Sequence, residues 1–181
     1  MKGVWRILMA LLVVSCGNDR TADEEDGFVS GPYRVWMETE NDSMNIVRLA
    51  VDGEVVDSMT LPFPVYRIDG GDLDADGIPE VCIGVVKATK YWKDVDRRLF
   101  IYRLYHGRYI RPLWLGSRVG HRLVDFRVCR DSVPAIIVTD ELTRDGVLIN
   151  GQYELKGFGL YTESPLRPTA NEMRLKQIAF G

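Results

Sequence analysis

Four carboxylates crowd one short stretch of the chain, residues 72–80, which we call the acidic loop. They occupy positions 1, 3, 5 and 9 of that loop and belong to Asp72, Asp74, Asp76 and Glu80. Like charges at this spacing repel one another, and a bound hard cation relieves the repulsion. Calcium takes about six to eight oxygen ligands, most of which four carboxylates and one backbone carbonyl can supply. The loop therefore predicts a Ca²⁺ site, and an empty Asp/Gly-rich turn is the alternative.

The residues that follow the acidic loop decide which kind of calcium site is expected. A helical calcium hand also begins Asp-x-Asp-x-Asp-Gly, but it ends in a glutamate at position 12 and is flanked by helices. Position 12 here is Ile83, within the run Val-Cys-Ile-Gly-Val-Val of residues 81–86. A short apolar run rich in β-branched residues is typical of a buried strand. We therefore expect the loop to join two strands and to close at Glu80.

The nine residues of the acidic loop resemble the calcium loops of FG-GAP and VCBS repeats, the blade units of integrin-α-like β-propellers. In that family the first, third, fifth and ninth side chains and the seventh carbonyl bind calcium. The metal ligands that the resemblance implies are Asp72, Asp74, Asp76, the backbone carbonyl of Ile78, and Glu80. The stretch 98–118 is also similar to bacterial envelope proteins that carry such repeats.

Internal repetition supports a blade-like unit of about 50–55 residues. Residues 45–54, 99–108 and 152–160 each indicate a strand that enters a tight turn at a glycine, namely Gly53, Gly107 and Gly157. The acidic loop has a degenerate counterpart at residues 127–138, where Asp131 is the one acid that aligns with an acid of the loop. We therefore expect three repeats and a single metal site.

These repeats predict an all-β fold of short antiparallel sheets from about three propeller-blade-like units. Closed propellers typically have four to eight blades, so three units are too few. An open stack, a sandwich-like arrangement and closure by self-association are the alternatives. Unprotected sheet edges pair readily with other chains, so an oligomer is left open. We expect one β-rich domain of FG-GAP/VCBS-like repeats over residues 27–181.

The first 26 residues have a different character. A basic start, an apolar run and a small-residue box ending in Cys16 resemble a bacterial lipoprotein signal peptide, here residues 1–15, and a buried N-terminal helix is the alternative. The resemblance implies that Cys16 is lipidated and anchors the protein to a membrane. Residues 16–26 are polar and acidic, which predicts a flexible tether. We expect a lipid-anchored protein of the bacterial cell envelope, at the outer membrane, with the periplasmic or surface face left open.

Composition argues against two classes of function. The formal net charge is −3 and no strong basic stripe stands out, so nucleic acid is not an expected partner. Neither His106 nor His121 belongs to a recognisable catalytic motif, and we do not expect an enzyme. Cys82 and Cys129 are either two buried thiols or a disulfide pair. Residues 171–180 are either a helix or a strand.

Aromatic and arginine side chains in the central repeat are the candidate ligand-binding residues. They are Tyr91, Trp92, Trp114 and Arg118. Such side chains are effective in contacts with glycans and proteins, although aromatics in strands more often fill the core. The sequence thus favours a calcium-stabilised envelope binding or scaffolding protein with a protein or glycan ligand. A glycan-active envelope enzyme and a structural subunit of an envelope complex are the alternatives.

Overall fold

The computed structural model describes residues 27–41, 43–116 and 118–162 and the backbone of 167–168, and these residues contain no helix. The expected signal peptide (1–15), the tether (16–26) with Cys16, and the segment 171–180 lie outside the described residues. The strands are β1 (Gly27–Ser30), β2 (Tyr33–Asn41), β3 (Met44–Val51), β4 (Glu54–Leu61), β5 (Val65–Gly71), β6 (Glu80–Lys87), β7 (Asp96–Tyr105), β8 (Tyr109–Leu115), β9 (Arg122–Cys129), β10 (Ile136–Leu142), β11 (Leu148–Lys156), β12 (Gly159–Tyr161) and β13 (Arg167–Pro168).

The strands form three antiparallel sheets in chain order, which confirms the predicted all-β class. The first sheet contains β1 to β4, the second β5 to β8, and the third β9 to β12, with β13 paired to β11. The predicted repeat is also confirmed, because Gly53, Gly107 and Gly157 each lie in the turn between the third and fourth strands of a sheet. All three adopt positive φ. The sheets form an open stack of blade-like units.

The second sheet lies between the other two, and its central strands β6 and β7 are buried on both faces. On β6, Val81 and Ile83 pack in a first core shared with the first sheet, while Cys82 between them packs in a second core shared with the third sheet. Successive side chains of a strand point to opposite faces. This explains why the run 81–86 is apolar throughout, since both faces of β6 are covered.

Polar contacts fix how the sheets sit on one another. Arg67 on β5 donates two hydrogen bonds to Asp125 on β9, at 2.7 and 2.6 Å. Asp57 on β4 accepts a hydrogen bond from the backbone of Ile110 on β8, at 2.8 Å. Such bonds are directional, so they select one register between sheets that apolar packing alone would hold less specifically.

A further prediction concerns the cysteines. Cys82 is a buried free thiol, so the alternative of a Cys82–Cys129 disulfide is wrong, and buried Cys82 instead fills space in the second core. Across the described ranges, no helix is long and apolar enough to cross a membrane.

Candidate functional site

The acidic loop connects β5 to β6 at one end of the second sheet, as predicted. Two of its residues, Ala75 and Gly77, have φ of 63° and 86°, which is the left-handed region that lets a chain reverse direction tightly. Leu73 is fully buried and packs in the second core. The loop is therefore anchored to the second core by an apolar side chain.

Three of the predicted carboxylates converge on one point. Asp72, Asp74 and Glu80 each offer an oxygen atom, and these atoms lie within 4.8 Å of one another. Asp76 is not part of this group, and its carboxylate accepts a hydrogen bond from the backbone of Ile78 at 2.8 Å. Asp72 accepts bonds from the backbone N–H groups of Asp76 and Gly77, at 3.1 and 2.9 Å. These bonds fold the loop around the acid cluster.

The cluster contains a buried acid whose ionisation is unfavourable in the protein alone. Glu80 is 2% exposed, and it accepts one hydrogen bond from the backbone of Leu73 at 2.9 Å. Burial, aided by the charges of Asp74, Asp76 and Asp72, raises the pKa of Glu80 to about 8. Burial also raises the pKa of Asp74, with the neighbouring Asp76 as a further cause. A pKa of about 8 means that Glu80 holds a proton at neutral pH when no cation is bound.

One cation of the protein lies close to these acids. Arg103 on β7 is the register partner of Glu80, and its guanidinium is 3.7 Å from a carboxylate oxygen of Asp74. A single partly exposed guanidinium offsets only part of the negative charge of the cluster. Three converging carboxylates form an oxygen-only donor set, which suits a hard cation such as Ca²⁺.

A cleft of about 190 Å³ opens beside the acid cluster. It is lined by Asp76, Ile78, Glu80, Arg103, Leu104, Tyr105 and His106. His106 lies in the β7–β8 turn, as predicted. Sequence reasoning missed Arg103, because its place beside Glu80 depends on the β6–β7 register, although the alternation along β7 would have indicated its face.

The degenerate counterpart of the acidic loop occupies the equivalent place in the third sheet, between β9 and β10. Its Arg130 donates a hydrogen bond to the carbonyl of Gly70 at 2.7 Å and pairs with Asp69. Ala135 donates its N–H to the carbonyl of Asp72, at 2.8 Å. The counterpart turn thus holds the acidic loop in place through hydrogen bonds. Within the described residues, the acid cluster is the one group of three side chains that could bind a metal ion.

The candidate ligand-binding residues lie at the opposite end of the second sheet. Loop 88–95 joins β6 to β7 there, and it carries Tyr91 and Trp92, 79% and 39% exposed. The guanidinium of Arg118 packs over the ring of Trp92, 5.2 Å from its centroid. Trp114 is partly buried against the second core, so it contributes to packing. The structure brings Trp92 and Arg118 together, away from the acidic loop.

No family model, curated protein or solved structure matches this chain. The resemblance to FG-GAP and VCBS repeats therefore stays a prediction. What the two ends of the second sheet can do has to be argued from their own geometry.

Proposed function

We propose that this is a calcium-stabilised, lipid-anchored binding or scaffolding protein of the bacterial cell envelope, without catalytic activity. The observation that carries the proposal is the convergence of Asp72, Asp74 and Glu80 within 4.8 Å, with Glu80 buried. A cation there replaces protons and removes the mutual repulsion of the acids.

The proposed ion acts on the centre of the fold. Asp72 directly follows β5, and Glu80 is the first residue of β6, so an ion bound to both fastens the two strands at that end. Leu73 between them is anchored in the second core. Because both neighbouring sheets pack on the second sheet, holding this hairpin in one geometry supports both cores. Calcium then stabilises the scaffold and leaves loop 88–95 free to contact a ligand.

Two features support the remaining parts of the proposal. The lipoprotein-like signal ending in Cys16 supports a lipid anchor at the envelope, at the outer membrane, although it lies outside the described residues. The exposed rings of Tyr91 and Trp92 with Arg118 support a protein or glycan ligand. The residues proposed to bind calcium and those proposed to bind the ligand therefore lie at opposite ends of the second sheet.

Thermal unfolding with and without calcium tests the proposal. At free calcium about 100-fold above its Kd, binding to the folded state alone adds about 2.7 kcal/mol, which raises Tm by several degrees. We expect this shift in the parent protein and its loss in Asp74→Ala. Asp145→Ala is the matched control, because Asp145 is an exposed acid in the β10–β11 turn. Equal melting of the parent protein in EDTA and in calcium would count against the proposal.

The two alternatives predict different results. A glycan-active enzyme would turn over one of a set of envelope polysaccharides, and its acids would flank a substrate. The three acids here instead surround one point. A structural subunit would be recovered crosslinked to a fixed partner. Neither alternative has an observation in its favour that the binding or scaffolding proposal lacks.

A further inference from the structure

The end of the second sheet that carries loop 88–95 is basic, although the whole chain is acidic. Between Lys87 and Arg98 the chain has five basic residues and two acids, and Arg118 and Arg122 add two positive charges from the next connection and β9. One of the two acids, Asp96, is paired with Arg122 at 3.0 Å. This end therefore attracts anions, whereas the acidic loop at the other end repels them.

A buried arginine at this basic end lacks a carboxylate partner among the described residues. Arg98 is 7% exposed, and its guanidinium donates to backbone carbonyls, that of Asp94 at 3.1 Å and that of Arg97 at 3.5 Å. Its Nε group has no hydrogen-bond partner in the part of the chain that the structure describes. Burying a charged donor without a partner is costly, so such a group points to a ligand that supplies the acceptor.

Arg98 lines a small cavity between the first residues of β7 and the connection that leads into β9. The lining residues are Arg97, Arg98, Leu99, Arg118, Val119 and Leu123. Its volume of about 10 Å³ admits one group of the size of a water molecule or a single anionic oxygen. Three arginines line this space. The guanidinium of Arg97 donates to the carbonyl of Val124 and lies over the ring of Tyr66. Arg98 and Arg118 are therefore the residues left to donate to a carboxylate oxygen.

The connection that carries Arg118 is held in place by the third sheet. Glu141, fully buried, accepts hydrogen bonds from the backbone of His121 at 2.5 Å and from the hydroxyl of Tyr153 at 2.8 Å. The same hydroxyl accepts a bond from the backbone of Gly120 at 2.8 Å. Because these hydrogen bonds already order the connection, it loses little conformational entropy when a ligand binds, which favours affinity.

We propose that this end of the protein binds a carboxylate-bearing glycan, with one carboxylate oxygen placed between Arg98 and Arg118. The rings of Trp92 and Tyr91 beside it offer apolar faces on which a sugar ring can lie. The inference rests on the proposed binding function and names its ligand class. A uronic acid combines the two required features, a carboxylate and a flat apolar ring face.

Calorimetric titration with a hyaluronan oligosaccharide and with its carboxyl-reduced counterpart tests the inference, since the two differ only in the carboxylates. In low salt and saturating calcium we expect saturable binding of the acidic form, at least about tenfold weaker binding of the reduced form, and weakening with added salt. Arg118→Gln should lose at least about tenfold in affinity. Arg108→Gln, which removes the same charge from the exposed β7–β8 turn at the other end of the sheet, should bind as the parent does.

Several outcomes would overturn the inference. These are no binding by the parent protein, equal binding of the two oligosaccharides, and equal binding by Arg118→Gln and the parent. Equally tight binding of duplex DNA or of anionic lipid vesicles would assign the basic end to general attraction for polyanions. The calcium-dependent melting shift is measured on the same samples. If calcium raises Tm as expected but the glycan does not bind, only this inference is wrong. If calcium does not raise Tm and the glycan does not bind, the proposed function is also wrong.

Discussion

Replacement of Glu80 by glutamine tests the electrostatics of the acid cluster most directly. Glutamine has the same shape as a protonated glutamate, and its amide oxygen can still accept the hydrogen bond from the backbone of Leu73. The pKa of Glu80 is raised from 4.5 to about 8 in the folded protein. Each unit of pKa difference corresponds to about 1.4 kcal/mol, so ionised Glu80 costs the calcium-free fold up to about 5 kcal/mol.

The sign of the pH dependence follows from the raised pKa. Below about pH 4.5 the carboxyl is protonated in both the folded and the unfolded chain, and ionisation costs nothing. Between that pH and about 8 the unfolded chain releases its proton while folded Glu80 keeps it, so stability falls as pH rises. Above about pH 8 the full cost is present. Glutamine does not titrate, so Glu80→Gln removes this loss.

Urea denaturation between pH 5 and pH 9 measures the effect. In EDTA at pH 9 we expect Glu80→Gln to be about 2–5 kcal/mol more stable than the parent, with the lower figure allowing for relaxation and water entry around the charge. The difference should be small at pH 5. Calcium at about 100-fold above its Kd should reduce this difference by about 2.7 kcal/mol, because it stabilises the parent and the variant lacks a ligand. A difference that does not vary with pH in EDTA, or full calcium stabilisation of the variant, would refute the reasoning.

Three further predictions concern other parts of the molecule. Gly77→Ala should destabilise the protein by about 1–2 kcal/mol through its φ of 86° alone, because an added Cβ meets no atom within 4 Å; a urea midpoint equal to that of the parent would contradict this. Arg67→Gln and Asp125→Asn should show a coupling energy of about 1 kcal/mol in a double-mutant cycle of unfolding free energies, because the ion pair is partly exposed. Additive effects of the two substitutions would show that this pair does not couple the second and third sheets. Cys16→Ala should move the full-length protein from the membrane to the soluble fraction of cells and abolish labelling by a fatty-acid probe, and an unchanged distribution would exclude the lipid anchor.

Local sequence signals predicted the elements well because their causes are local. Glycine accommodates the positive φ that tight turns require, so Gly53, Gly107 and Gly157 marked the same turn in each sheet. The apolar run on β6 indicated a buried strand. The spacing of the acidic loop placed Asp72, Asp74 and Glu80 in one cluster.

Features that depend on packing between distant segments could not be read from the sequence. Asp76 was expected among the ligands, and the sequence did not indicate that its carboxylate also accepts a hydrogen bond from the backbone of Ile78. Arg103 reaches the acids through the β6–β7 register, and Arg98 is buried and donates a hydrogen bond to the carbonyl of Asp94 in loop 88–95. Neither arginine belongs to a local motif, so only the three-dimensional arrangement reveals its surroundings.

The position of β6 between both cores has a consequence for how the molecule comes apart. Neighbouring residues of this strand contribute to opposite interfaces, so local melting of the strand would uncover apolar surface on two sides at once. The first and third sheets are then expected to unfold together rather than one at a time. In a hydrogen-exchange experiment the amides of β6 should exchange last, and amides of the first and third sheets should share one opening free energy.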